Sequence, residues 1–179
     1  MTPPEILISQ ADFDAFVAAQ VEFALRRLRD KPASLMPHLA IKTVNMEGKE
    51  GLTLAALAVD FNEAADKRTI LMALGRRTYE RREIPLAIAI VSEAWSATKA
   101  RGDRTEPRYC ANKREVVLVA AKSIGNERTK VVEITVRRDA HNRLEATTDN
   151  AREENGAGVP LLDHFIRGFL AELTSNPRN

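Results

Sequence analysis

The stretch Ile84–Trp95, IPLAIAIVSEAW, is the most strand-like run in the chain, apolar from Leu86 to Val91 and ending abruptly at Ser92-Glu93-Ala94-Trp95. Side chains alternate along an extended chain, so Leu86, Ile88 and Ile90 share one face and Ala87, Ala89 and Val91 the other. Glu93 and Trp95 continue the alanine face. A strand apolar on both faces is covered on both sides. It is therefore expected at the centre of a sheet, with a carboxylate and the single tryptophan at its end.

On its N-terminal side the spacing predicts a helix from Asn62 or Asp60 to Arg82, with Ala64, Ala65, Ile70, Leu71, Leu74 and Tyr79 as apolar positions. Gly75 falls inside that helix at a cost of about 1 kcal/mol against alanine. Two strands are expected before it, His38–Met46 and Leu52–Phe61, joined by the charged turn Glu47-Gly48-Lys49-Glu50-Gly51. An amphipathic helix is expected over Asp12–Arg29, with Asp12 as N-cap, after an irregular arm over residues 1–11.

On the C-terminal side, residues 96–113 form a long polar loop, which is either functional or disordered. Glu115–Ala121 reads as another two-faced strand, and Val131–Arg138 alternates as a half-exposed strand near a sheet edge. Residues 139–158 read as a second polar loop. Pro160 opens the most amphipathic helix of the chain, followed by a frayed tail over 175–179.

The expectation is thus one α+β domain over 1–179, with an antiparallel or mixed five-stranded sheet and about three helices in the order α-β-β-α-β-β-β-α. That order resembles the profilin-like arrangement of roadblock and longin domains. A deaminase-like mixed sheet is a second topological option. The resemblance is one of element order and implies no site residue.

Composition sets the outer bounds. The chain has 179 residues, 44% hydrophobic and 29% charged, which is ordinary for a soluble globular protein. Its net charge of +2 does not by itself indicate nucleic acid. With Cys110 as the single cysteine, no disulfide forms within the chain. The opening MTPPEILISQADF lacks the basic and apolar regions of a secretory leader, and no run reaches membrane-span length, so a cytoplasmic location without membrane contact is expected.

His38, His141 and His164 are scattered and there is no CxxC or HExxH, so the histidines are expected as surface or loop residues and no metal or cofactor is implied. Cys110 has cationic neighbours but no nearby histidine to serve as a base. Glu93 and Glu115 flank the 96–113 loop and would meet if their strands pair; paired carboxylates can do acid–base work, but each is more simply matched to an arginine such as Arg108 or Arg114. Gly156-Ala157-Gly158 is a weak approach to a helix N-terminus, from which Pro160 removes an amide donor. The loop carries Lys99, Arg101, Arg104, Arg108, Lys113 and Arg114 against Asp103 and Glu106, with Trp95 and Tyr109 interleaved, a pattern able to hold anions and stack bases.

No catalytic signature emerges. The leading expectation is a non-enzymatic interaction module that self-associates through an exposed edge strand, the last strand Val131–Arg138 being the candidate. The alternatives are a nucleic-acid or anion binder using Trp95, Arg101, Arg104, Arg108 and Arg114, and an enzyme acting on an anionic small molecule with Glu93 as acid or base.

Overall fold

The computed structural model describes residues 7–30, 35–57, 64–141, 152–156 and 158–175. Most of the expected N-terminal arm, the helix start at Asp60 or Asn62, the end of the second expected strand, residues 142–151 of the second loop and the tail beyond Ser175 lie outside the described residues.

The chain runs α1 (Gln10–Asp30), β1 (His38–Asn45), β2 (Glu50–Ala56), α2 (Ala64–Glu80), β3 (Glu83–Ser96), β4 (Arg114–Ser123), β5 (Thr129–Thr135), β6 (Arg152–Asn155) and α3 (Pro160–Ser175). The class is α+β and the element order matches the sequence expectation, with one strand more. The strands form one antiparallel sheet in the order β2-β1-β3-β4-β5-β6. The sixth strand, β6, falls in the stretch expected to be a loop. Its four residues, REEN, carry no apolar alternation, and pairing with β5 alone makes them a strand. β2 and β3 both run antiparallel to β1, so they are parallel to each other and α2 crosses over β1 to join them.

The sheet separates two apolar layers. On one face α1 lays Phe13, Phe16, Val17, Ala24 and Leu28 over Ala40, Ala87, Ala89, Val91, Val117 and Val119. On the other, Leu71 of α2 and Leu162 and Phe165 of α3 pack on Leu39, Ile41 and Ile88. β3 lies between these layers, as its two apolar faces require. One residue departs from the alternation. Leu86 joins Ala87 on the α1 side, because the register slips between Lys42 and Thr43 and inserts Leu86 as a bulge.

Two local expectations are corrected. Ser9, not Asp12, caps α1: its hydroxyl accepts the Asp12 amide at 3.0 Å. Gly75 is not a tolerated flaw. A Cβ built there would stand 2.1 Å from the Phe165 carbonyl oxygen, and one on Gly168 would stand 2.1 Å from that of Met72. These two glycines let the backbones of α2 and α3 touch.

Candidate functional site

The alternation that carries β3 through Ala89 and Val91 places Glu93 next on the α1 face, beyond the apolar column. β4 pairs so that Glu115 stands opposite Trp95, making Glu115 a diagonal neighbour of Glu93 on the same face. The two carboxylates do meet, as the expected pairing required. They meet around Arg138. Its Nε donates to both Glu115 oxygens at 3.1 Å, its Nη2 donates to Glu115 Oε1 at 2.8 Å, and Nη2 approaches Glu93 Oε1 at 3.4 Å. The Leu35 amide donates to the same Glu93 oxygen at 2.9 Å.

Burial holds the Glu93 carboxyl above the usual carboxylate range and the Glu115 charge adds to the rise; the Leu35 amide and Arg138 oppose it. The cluster is an Arg-centred clamp joining the ends of β3, β4 and the segment after β5. Both Glu115 oxygens and Glu93 Oε1 accept from donors of the fold itself.

The expected loop arginines are engaged elsewhere. Arg108 pairs with Glu106 at 2.6 Å, and Arg114 with Glu133 of β5 at 2.7 Å. Sequence reasoning missed Arg138, although a signal was present. Val132, Ile134 and Val136 all reach the α1 core, so one more step of two puts residue 138 on the face of Glu93 and Glu115.

The 96–113 loop is internally bonded. Lys99 Nζ donates to the Thr105 carbonyl at 2.9 Å, Asn112 Nδ2 to that of Thr98 at 2.8 Å, and Lys113 Nζ to that of Arg108 at 2.8 Å. Lys113 Nζ also stands 5.1 Å from the centre of the Trp95 ring. Trp95 and Tyr109 remain 48% and 72% exposed, and Arg101 and Arg104 are exposed. Glu93, Trp95 and the loop arginines therefore divide into a half-buried clamp and a solvent-facing loop.

His38 corrects another expectation. It is buried, edge-on to Phe23 with ring centroids 5.2 Å apart, and its Nε2 has no hydrogen-bond partner among the described residues. Burial pushes its pKa below the ordinary histidine value, and the Arg27 charge acts the same way. Among the described residues no His, Cys, Asp and Glu side chains cluster as a metal site, and no helix is long and apolar enough to cross a membrane.

Among the described residues, two hollows open to solvent lie beside the sheet. One, of about 550 Å³, lies where α1 starts, between the β4–β5 turn and the end of β6, and is rimmed by Asp14, Arg128 and Lys130. The other, of about 320 Å³, lies between β2 and α2 and is lined by Thr53, Ala55, Leu74, Arg77, Thr78 and Arg81, among others. Glu93 belongs to neither.

The expected exposed edge also moves. β5 is covered by β6, so Val131–Arg138 is not the edge; among the described residues β2 and β6 are the outer strands. On β2, Leu52 and Leu54 are 56% and 44% exposed, because α1 packs over the centre of the sheet and leaves this flank bare. No protein-family model matches this sequence, and no curated protein and no solved structure matches it either.

Proposed function

We propose that this chain is a protein-interaction module that associates with itself through the outer edge of β2, and not an enzyme working at Glu93. The observation that carries this is the composition of that edge. Over Glu50–Ala56 the only charged residue is Glu50, and Leu52 and Leu54 stand exposed on one face. Outer strands present unpaired amides and carbonyls, and natural sheets blunt them with lysine, proline, bulges or brevity. β2 has none of these within its span. The clamp at Glu93 supports the same view, since the Leu35 amide and Arg138 hold one oxygen of its carboxylate for the fold and Glu93 lines neither of the two hollows described above.

The test is sedimentation over a wide concentration range. The unaltered chain is expected to shift from monomer to a larger species as concentration rises, and Leu52→Lys with Leu54→Lys to remain monomeric with unchanged circular dichroism. A strict monomer for the unaltered chain at high concentration would remove the proposal.

A further inference from the structure

Granted self-association through β2, on which this inference rests, we infer that two copies join their β2 strands antiparallel across a two-fold axis at Thr53, making one continuous sheet. Backbone parity and position along the strand point to this register.

Two bonds fix which backbone groups of β2 face outward. The Asn45 amide donates to the Lys49 carbonyl at 3.0 Å, and the Leu57 amide to the Pro37 carbonyl at 2.8 Å. Lys49 and Leu57 thus face β1. By the alternation of an antiparallel ladder so do Gly51, Thr53 and Ala55, while the amides and carbonyls of Glu50, Leu52, Leu54 and Ala56 point away from the sheet.

A strand pairing with itself must match outward residues with outward ones. Thr53 is the middle residue of β2, and it faces inward. It can therefore lie on the axis in a non-hydrogen-bonded pair. Leu52 then exchanges bonds with the partner's Leu54, and Glu50 with the partner's Ala56. Sliding the partner by one allowed step sets Leu52 or Leu54 opposite its own copy and leaves strand ends unpaired. Only the Thr53 axis pairs the whole strand.

The side chains agree with that register. Leu52 and Leu54 of both copies form one apolar row on the α1 side of the joined sheet. Glu50, whose carboxylate is held by Lys42 at 2.7 Å, faces alanine and meets no like charge. On the α2 side the partner contributes Gly51, Thr53 and Ala55, side chains small enough to sit beside the hollow of about 320 Å³ that opens next to Thr53 and Ala55.

Disulfide trapping tests the register. In a chain carrying Cys110→Ser, Thr53→Cys places two sulfur-bearing residues across a non-hydrogen-bonded pair, with Cα atoms about 4.5 Å apart and within bonding range. Leu52→Cys places them diagonally, beyond the roughly 7 Å that a disulfide spans. Under mild oxidation Thr53→Cys is expected to yield covalent dimer at least about tenfold faster than Leu52→Cys, because the diagonal pair cannot close without backbone movement. If the chain sediments as a dimer but Thr53→Cys does not cross-link, or if both variants cross-link equally, the register is overturned and self-association stands. If the Cys110→Ser chain is strictly monomeric, both fall, and the edge is left for a strand of a different protein.

Discussion

Among the described residues β2 and β6 are the outer strands of one sheet, yet β2 offers seven residues with a single charge, while β6 is four residues of which three are charged. The hollows beside them differ in the same sense. The one at β2 is lined by Ile41 and Leu74, with arginines beside them, whereas the one at β6 is ringed by Asp14, Arg128, Lys130 and Asn155, with Lys130 bound to Asp14 at 3.1 Å. Brevity and charge are how a sheet prevents unwanted pairing. One edge of this sheet has both, while the other is longer and has one charge, and the proposed association through β2 rests on that difference.

The largest expected effect breaks the layer beneath the β2 half. Gly168→Ala drives a methyl group to 2.1 Å from the Met72 carbonyl oxygen, forcing α2 and α3 apart. A loss of about 3 kcal/mol or more is expected in urea unfolding, the reverse of the usual helical glycine-to-alanine gain. A gain would mean that the helices do not meet at these glycines.

The next effect strikes the opposite half. Arg138→Leu leaves Glu93 and Glu115 as neighbouring, largely shielded carboxylates without their shared cation, and a loss of about 2 kcal/mol at neutral pH is expected. Protonation relieves the repulsion, so the deficit should shrink as pH falls into the carboxylate range. A deficit that is constant with pH would show that packing, not charge, was lost.

A smaller effect separates the halves by pH. His38 pairs with Ala56 at the end of β2, and its pKa is depressed in the fold. The unfolded chain then takes up the proton more readily. Stability from the neutral imidazole is therefore full above the ordinary histidine value of 6.5 and falls as pH drops below it, with a slope of at most about 1.4 kcal/mol per pH unit. Amide exchange in β1 and β2 should accelerate first. His38→Gln should remove that slope, and an unchanged slope in the variant would assign it to other groups.

The smallest effect sharpens the contrast between edges. Asn155→Leu on β6 is expected to change stability by no more than about 0.5 kcal/mol and to create no new association, because four residues are too few to template a partner. Oligomers appearing on that substitution would mean that brevity does not keep β6 closed.

Much of the fold was legible. β3 announced itself by two apolar faces, α3 by its row of leucines and phenylalanines, and Glu93 by ending the alanine face. β6 was not legible, because its residues have no strand pattern and are held only by β5. Arg138 lay one step beyond a clear alternation, in a segment where the strand was expected to end. The edge was misplaced from β5 to β2 because local sequence does not reveal which strand lies outermost.

The sequence alone therefore determined the element order, the two-layered burial of β3 and the absence of any recognisable catalytic motif. These depend on short-range periodicity and side-chain type. Tertiary structure decided which strand is exposed, which arginine joins Glu93 to Glu115, and why Gly75 and Gly168 must stay glycine. Each of these is a meeting of segments far apart in the chain, set by how the layers pack.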